Sequence, residues 1–310
     1  MNPLRVKTGV LRLPKNIASI RPMERRIWSW FLAQVAAVSI AGTFGAIAEV
    51  AAGPPRPGPT EIAFGPDSSQ RLDIYAQPGL KSAPMVLYVH GGAWSMFDKS
   101  DVDALPDFAR RHHFLLASTN HRLGAGAEKA AEDVAGATDW MLREGPHYGG
   151  DAKRLFLMGW SSGGHLVALI SVDPRFLAAR GRKPPDVAGV IGVDGAGYNA
   201  ASQIHSLFII LKTVELGMWM VAFGGHPAAL SPTLLVRQGH PYPPFLLFYT
   251  NHPGGRSYTE EFAGKLRKAG AQVVVVEASG RMHFTLNSRF GDPGDPYGDR
   301  AAKFIAAARP

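Results

Sequence analysis

From residue 60 to the C-terminus, short apolar runs alternate with longer segments whose apolar residues recur at helical spacing. Residues 84–89 are almost continuously apolar, which is typical of a central strand buried on both faces. In residues 127–143 the apolar positions instead fall on one side of a helix. The other predicted strands are residues 60–64, 71–76, 114–118, 154–159, 187–193, 245–250 and 272–277, and the other predicted helices are residues 162–171, 258–269 and 299–308. This alternation predicts an α/β fold with a mostly parallel central sheet and helices on both faces.

The alternation stops between residues 195 and 243. Large apolar side chains such as Leu207, Phe208 and Trp219 occur throughout this segment, which is too long and too apolar for a simple loop. We expect an inserted small helical cap over about residues 196–243. The alternative is one ordinary sheet-covering helix followed by a long loop.

The first fifty residues do not have the pattern of a folded domain. Arg25 and Arg26 precede an apolar run over residues 27–48, which ends in the small-x-small pattern Ala-Ile-Ala. A charged start, an apolar centre and a small-residue end are typical of a secretory signal peptide. A membrane anchor is the main alternative, because about 20 apolar residues can span a bilayer. A buried or surface helix is a third interpretation.

These boundaries divide the chain into three parts. Residues 1–48 are predicted to be a signal peptide or membrane anchor, and residues 49–60 a stiff, Pro-rich linker. Residues 61–310 are predicted to form the α/β domain with its cap. We therefore expect an exported protein, periplasmic or secreted, with membrane contact through residues 27–48 as the alternative.

The composition excludes several kinds of chemistry. The chain contains no cysteine, so it has no disulfides, no thiolate metal site and no cysteine nucleophile. Its net charge is +8, from 33 basic and 25 acidic residues, and part of this excess lies in the first 26 residues. No basic stripe is interleaved with aromatic residues, and we therefore expect no nucleic-acid partner.

Ser161 lies in the pentapeptide Gly159-Trp160-Ser161-Ser162-Gly163, between a predicted strand and a predicted helix. A serine hydroxyl is a weak nucleophile, which needs a base to take its proton and donors to hold the oxyanion that forms. A sharp strand-turn-helix projects such a serine, and neighbouring glycines let the strand and the helix approach closely. The motif in this context predicts that Ser161 is the nucleophile of a hydrolase.

A glycine-rich loop, His-Gly-Gly-Ala-Trp over residues 90–94, follows a predicted buried strand. Hydrolases with a serine in such a turn place oxyanion-binding amides at this point, and glycine lets backbone N–H groups face the site. The N–H groups of Gly92 and Ala93, together with that of Ser162, are the predicted oxyanion donors. We expect His90 to hold the loop through a hydrogen bond rather than to act as a base.

His283 is the predicted base among the eleven histidines of the chain. In the order serine, acid, histidine, the base follows the last strand, and only His283 does so. We expect His165 to pack within the helix after Ser161. His205, His226 and His240 lie in the presumed cap and are expected at the surface.

Further short motifs accompany these residues: Asp98-Lys99-Ser100, Asn120-His121-Arg122-Leu123, Glu132-Asp133-Val134, Ser231-Pro232, Pro243-Pro244-Phe245 and Asn287. With the serine motif and the loop over residues 90–94, they make residues 70–310 resemble the hormone-sensitive-lipase and carboxylesterase branch of the α/β hydrolases, near bacterial acetyl and feruloyl esterases. The resemblance implies the α/β-hydrolase fold and hydrolysis of carboxylic esters through an acyl-enzyme, with no cofactor and no metal. It also implies that Asp133 and Arg122 form a structural pair.

The third member of the site remains open at this point. The family places an acid just after the strand predicted at residues 245–250, but this chain has Thr-Asn-His-Pro at residues 250–253. Asn251 would orient His283 through a hydrogen bond, as Asn does in papain-like sites. Asp194, at the end of the preceding strand, would instead supply a carboxylate. A weakened or inactive site is the third interpretation.

The first hypothesis is therefore a serine esterase that acts on small carboxylic esters. Trp94, Trp160 and Trp219 suggest a pocket for an apolar acyl or aryl group, although core packing explains them equally well. The second hypothesis is an arylformamidase-like amide hydrolase, which shares the His-Gly-Gly-x-Trp motif. The third is a non-catalytic binding protein that kept the fold. The substrate and the oligomeric state do not follow from the sequence.

Overall fold

The computed structural model describes residues 58–210 and 214–308 of the chain. The signal peptide or anchor predicted at residues 1–48 lies outside the described residues, as does most of the linker predicted at residues 49–60. Thr60, the last residue of that predicted linker, is already the first residue of a strand. Within the described part of the chain, no helix is long and apolar enough to cross a membrane.

An eight-stranded sheet forms the centre of the fold. Its strands are β1 (Thr60–Ala63), β2 (Arg71–Tyr75), β3 (Ala83–Val89), β4 (Leu115–Thr119), β5 (Gly150–Trp160), β6 (Gly189–Val193), β7 (Phe245–Tyr249) and β8 (Val273–Glu277). The spatial order is β1-β2-β4-β3-β5-β6-β7-β8. The β1–β2 and β2–β4 pairs are antiparallel, and all the other pairs are parallel. The prediction of a mostly parallel sheet is confirmed.

The helices connect these strands and lie on both faces of the sheet. They are α1 (Leu105–Arg111), α2 (Ala127–Glu144), α3 (Ser162–Val172), α4 (Pro174–Ala178), α5 (Ala200–Ile210), α6 (Val214–Phe223), α7 (Pro232–Leu235), α8 (Gly255–Lys268), α9 (His283–Ser288) and α10 (Pro296–Ala307). Those predicted outside the cap segment, α2, α3, α8 and α10, are confirmed with small shifts at their ends. The sequence did not predict α1, α4 and α9, because one or two turns are too short to show a helical period.

Each face of the sheet carries its own apolar layer. Along β3, Val86 and Tyr88 belong to one layer and Leu87 and Val89 to the other, since successive side chains of a strand point to opposite faces. Helices α2, α3 and α8 cover the Leu87 face, and α1 and α10 cover the Tyr88 face. Because both faces are buried, the central strands are continuous apolar runs rather than alternating ones.

A buried ion pair joins the segment after β4 to helix α2. Arg122 Nη2 lies 2.6 Å from Asp133 Oδ1, and the Arg122 backbone N–H donates to Asp133 Oδ2 at 2.8 Å. Gln70 donates a further hydrogen bond to the same carboxylate. Asp133 is fully buried, so these donors offset the cost of burying its charge. The contacts are those of the structural pair that the family resemblance implied.

The segment between β6 and β7 holds α5, α6 and α7. Tyr198 and Ala200 at its start belong to the main core, as does Trp219 of α6. Trp219 and Phe223 pack with edge-to-face geometry against Trp94 of the loop after β3, with ring centroids 5.1 and 4.9 Å apart. The segment is therefore helical, as expected, and it packs beside the loop over residues 90–94. Its description as a separate cap over residues 196–243 stays a prediction.

Candidate active site

Ser161 occupies a sharp turn between β5 and α3. Its φ of 53° and ψ of −119° are unfavourable for a residue with a side chain. Two glycines make the turn possible: a Cβ on Gly159 would lie 2.3 Å from the carbonyl oxygen of Gly163, and one on Gly163 would lie 2.1 Å from the carbonyl oxygen of Val89. The strand and the helix thus approach too closely for side chains there, and the turn presents the hydroxyl of Ser161.

Replacing Gly163 by alanine is expected to lower the free energy of unfolding by about 3 kcal/mol, because the added methyl group overpacks the turn. The atoms it would meet are the backbone carbonyls of Val89 and His90, so relief requires a shift of the end of β3. Thermal or urea unfolding measures the loss. Gly264→Ala, inside helix α8 with no atom within 4 Å of the new methyl, is the matched control and is expected to be neutral or slightly stabilising. Equal stability of the two variants would contradict this account of the turn.

His283 lies beside Ser161, at the first residue of α9. Its Nε2 is 3.0 Å from Ser161 Oγ, although the two residues are 122 positions apart in the sequence. The indole N–H of Trp160 donates to the carbonyl oxygen of His283, and the two rings lie 5.1 Å apart. The residue before the serine therefore helps to hold the imidazole in place. The His283 side chain keeps 19% of its surface exposed, which leaves the ring accessible from solvent.

Asp194 approaches the other nitrogen of the same imidazole. It follows the last residue of β6, has a φ of 48°, and places Oδ2 2.8 Å from His283 Nδ1. The carboxylate is almost fully buried and accepts two hydrogen bonds from Thr250, from the backbone N–H at 2.8 Å and from the hydroxyl at 2.5 Å. These contacts order the carboxylate in one orientation.

The charge state of Asp194 results from two opposing effects. Burial by itself would raise the pKa of Asp194, but hydrogen bonds from His252 and His283 outweigh it and hold that pKa below its usual range. The carboxylate is therefore ionised near neutral pH. An ionised, ordered carboxylate fixes the tautomer of the imidazole and stabilises the imidazolium that forms when the ring accepts a proton.

Asn251 and Asp194 are the two sequence-based candidates for the third position. Asn251 is exposed in the turn after β7, whereas Asp194 takes the Nδ1 contact of His283. β6 and β7 are neighbours in the parallel sheet, so their carboxyl ends meet at the same edge. An acid that follows either strand can therefore reach the histidine. The geometry favours Asp194, and Asn251 is not placed against the ring.

Two further residues of this edge, Thr250 and His252, were not assigned a role from the sequence. Thr250 donates twice to Asp194, and His252 Nε2 lies 3.3 Å from Asp194 Oδ1. The departure of residues 250–253 from the family pattern was the signal that this segment does something different. His283 directs Nδ1 to Asp194 and Nε2 to Ser161.

The loop over residues 90–94 passes directly beside the serine. A Cβ on Gly91 would lie 3.1 Å from Ser161 Cβ and 2.6 Å from the ring of Trp160. Gly92 and Ala93 both have positive φ values, of 100° and 50°, which turn the backbone sharply at this point. The loop thus approaches Ser161 at Gly91, and the role of Gly92, Ala93 and Ser162 as oxyanion donors stays a prediction. The N–H of Ser162, the first residue of α3, has no acceptor within its own helix.

The other histidines considered from the sequence make no contact with the described residues that would give them a role as the base. His90 is buried, contacts the carbonyl oxygen of Gly91 through Nδ1 at 2.8 Å and stacks on His121 with ring centroids 4.7 Å apart. Burial lowers the pKa of His90, so its ring is held neutral. His165 is fully buried in α3, where it accepts a hydrogen bond from the indole N–H of Trp94. In the presumed cap, His205, His226 and His240 are exposed.

The three tryptophans predicted to bind substrate have different surroundings. Trp94 and Trp219 are 1% and 5% exposed and pack against each other, so core packing describes them and their prediction as substrate-binding residues needs correction. Their large apolar rings pack α6 against the loop after β3. Trp160 differs, because its ring contacts both His283 and the exposed ring of Phe97.

The sheet order, together with a serine in the turn between β5 and α3, defines an α/β-hydrolase fold. The BD-FAE family model matches residues 72–179 of this chain. In addition, the crystal structure of C6-C4 SN3 inhibited esterase B from Lactobacillus rhamnosis aligns with a TM-score of 0.70 at 16% identity and covers 92% of this chain and 96% of that one. This likeness establishes the fold.

Several curated proteins with similar sequences are esterases by name. The probable isoprenylcysteine alpha-carbonyl methylesterase ICMEL1 of Arabidopsis thaliana is 23% identical over 73% of this chain and 50% of its own length. Esterase LipQ of Mycobacterium tuberculosis is 28% identical over 69% of this chain and 54% of its own length. The chain thus spans about half the length of these curated relatives. By fold it is an α/β hydrolase, and its sequence is similar to the BD-FAE family and to these esterases.

Proposed function

We propose that this protein is a serine esterase that cleaves carboxylic esters through an acyl-enzyme. The observation that carries the proposal is the continuous chain of contacts from Asp194 through His283 to Ser161, at 2.8 and 3.0 Å. This arrangement provides a nucleophile, a base within hydrogen-bond reach and a group that orients the base. The esterase names of the similar proteins support the first of the three sequence-based hypotheses.

In the proposed first half-reaction, Ser161 Oγ forms a bond to the acyl carbon while His283 Nε2 accepts the hydroxyl proton. The ester carbonyl oxygen takes up negative charge, and the buried carboxylate of Asp194 stabilises the imidazolium. The bond to the alcohol oxygen then breaks, and His283 delivers its proton to that oxygen. The products of this half-reaction are the free alcohol and an acyl group on Ser161.

In the second half-reaction, water attacks the acyl carbon while His283 accepts one of its protons. The bond to Ser161 Oγ breaks, and the proton passes from His283 to that oxygen. The carboxylic acid leaves and the serine is restored. Every proton given up is returned within the cycle, so no cofactor is needed for these steps.

We assign the oxyanion hole to the backbone N–H groups of Gly92, Ala93 and Ser162. The close approach of the loop to Ser161 and the position of Ser162 at the start of α3 support this assignment. Preorganised donors of this kind lower the barrier because they are aimed at charge that develops only in the transition state. The positive φ values of the loop are consistent with a backbone shaped for this purpose.

The proposed substrates are esters with an apolar acyl or aryl group. Phe97 is 40% exposed and stacks on Trp160 with ring centroids 5.9 Å apart, and Trp160 in turn contacts His283. Two methionines next in sequence to site residues, Met96 and Met282, are also nearly half exposed. Exposed apolar side chains beside a polar reaction centre favour a ligand with an apolar part.

Replacing Phe97 by alanine is expected to raise the KM for p-nitrophenyl butyrate about fivefold, since part of the apolar contact area is lost. The KM for p-nitrophenyl acetate should change less, because its acyl group is shorter. Steady-state kinetics on the two esters measure the difference. Val274→Ala, which also removes an exposed apolar side chain but near the start of β8, is the control and should leave both values unchanged. An equal change for both esters would contradict an acyl-binding role for Phe97.

The proposed function is tested by hydrolysis of p-nitrophenyl acetate and butyrate and by labelling with a fluorophosphonate, which modifies activated serines. A modified Ser161, found by peptide mass spectrometry, supports the serine esterase. Comparison of aryl esters with aryl formamides separates it from an amide hydrolase. A protein that neither hydrolyses the esters nor reacts with the probe is not a serine esterase. The N-terminal sequence pattern further supports our proposal of an exported enzyme.

A further inference from the structure

Asp194 lies between two imidazole rings. Its Oδ2 contacts His283 and its Oδ1 lies 3.3 Å from His252 Nε2. The two rings are 5.8 Å apart and nearly perpendicular. His283, Ser161 and Asp194 account for the proposed proton transfers, and His252 takes no part in them. A second histidine on the buried carboxylate of a hydrolytic site needs its own explanation.

Both nitrogens of the His252 ring face acceptors. Nε2 faces the carboxylate of Asp194, and Nδ1 lies 3.1 Å from the carbonyl oxygen of Pro253. Neither oxygen can donate, so a neutral ring with a single N–H satisfies only one of these contacts. A ring with both protons satisfies both, and it carries a positive charge beside the carboxylate.

The backbone around His252 brings the ring close to the start of α8. The N–H of His252 donates to the carbonyl oxygen of Thr250 at 2.8 Å, and the N–H of Gly255 donates to the carbonyl oxygen of His252 at 3.0 Å. A Cβ on Gly255 would lie 2.8 Å from His252 Nε2. Only glycine therefore leaves room for the ring in this position. The turn that lacks the acid implied by the family resemblance instead directs donors at Asp194.

We propose that His252 is a positioning residue for the Asp194–His283 pair: it holds one oxygen of the carboxylate, so that the other faces His283, and it offsets part of the negative charge. This inference rests on the proposed esterase function, in which His283 is the base.

The offset of charge has a consequence for the pH dependence. A carboxylate whose charge is partly balanced holds a proton on a neighbouring imidazole less strongly. The charge on His252 is therefore expected to influence the pH dependence of the reaction at the neighbouring serine. Two further charged groups, Arg256 and Glu260, line the same surface depression as His252 and have opposite signs. Removing His252 should thus move the acidic fall in reactivity to higher pH.

The test measures the second-order rate constant for fluorophosphonate labelling of Ser161 in the full chain between about pH 5 and 9. His252→Leu removes the donor and the charge; we expect labelling at neutral pH to slow about tenfold and the acidic midpoint to rise by about one pH unit. His252→Gln keeps a donor without the charge, so we expect the rate to recover to within about threefold while the midpoint stays raised. His147→Gln, whose side chain is 77% exposed, is the matched control.

The outcomes separate this inference from the function on which it rests. If wild-type protein is not labelled, or if Ser161→Ala is labelled equally well, the esterase proposal fails. If wild-type protein is labelled and both His252 variants match its rate and its acidic midpoint, the esterase stands and the role of His252 is overturned. A slower His252→Leu whose midpoint is unchanged also overturns it, because simple loosening of the turn would lower the rate without moving the pH profile. Circular dichroism confirms that each variant is folded.

Discussion

Replacing Ser161 by alanine is expected to reduce kcat for p-nitrophenyl butyrate by a factor of about 10⁴ to 10⁶, the range seen when such a nucleophile is removed. The variant loses the hydroxyl oxygen that lies 3.0 Å from His283 Nε2, so the acyl-enzyme cannot form and the proton transfer to His283 cannot occur. The oxyanion donors and the apolar side chains at the site are untouched. We therefore expect the KM or Kd for the ester to change by no more than about threefold.

The control for this change is a serine of the helix that follows Ser161. Ser171→Ala removes a buried hydroxyl of α3 that donates to the carbonyl oxygen of Val167, and it should cost about 1 kcal/mol of stability with no loss of activity. Stopped-flow or plate-based hydrolysis assays at matched protein concentrations measure both variants. Substantial hydrolysis by Ser161→Ala, beyond the rate without enzyme, would show that another group attacks the ester.

Replacing Asp194 by asparagine is expected to lower kcat about 10³- to 10⁴-fold, as loss of the orienting carboxylate does in other serine hydrolases. An amide at this position removes the negative charge that stabilises the imidazolium. It also places an NH₂ group against donors, because Thr250 directs its N–H and its hydroxyl at the two carboxylate oxygens. The loss should appear in kcat more than in KM, since the charge acts in the transition state.

Asn251→Ala is the matched comparison for this prediction, because the sequence left Asn251 and Asp194 as rival candidates. Asn251 is exposed and away from His283 Nδ1, so we expect the activity of this variant to stay within about threefold of wild type. If Asn251→Ala lost the activity and Asp194→Asn kept it, the assignment of the third position would be reversed. If both variants kept full activity, the site would work without an orienting group.

At the edge formed by the carboxyl ends of β6 and β7, the sequence could not predict which residue orients His283. Asp194 and Asn251 each follow a predicted strand, and nothing in the order of the residues distinguishes them. Adjacent parallel strands bring both ends to the same place, and only side-chain direction decides which group meets the imidazole. The φ of 48° at Asp194 turns its carboxylate toward His283, and such a backbone angle has no signature in an isolated aspartate.

The sequence also left open whether the tryptophans line a pocket or pack in the core. Trp94 and Trp160 flank motifs that carry the chemistry, and both are large and apolar, which suits a pocket as well as a core. The structure buries Trp94 against α6, whereas Trp160 contacts His283 and Phe97. Phe97 itself was missed, because an exposed phenylalanine in a loop has no periodicity to mark it. Burial depends on which element packs on which, and that is a long-range property.

The sequence by itself determined the strands, the longer helices, the serine turn, the loop over residues 90–94 and the choice of His283. These features are local: apolar periodicity, glycines where the backbone approaches closely, and a fixed order along the chain. Only the tertiary structure decided that Asp194 meets His283 and that His252 meets Asp194. Asp194 and His283 are 89 positions apart in the sequence, and Asp194 and His252 are 58 positions apart. The parallel sheet brings all three residues together at one edge.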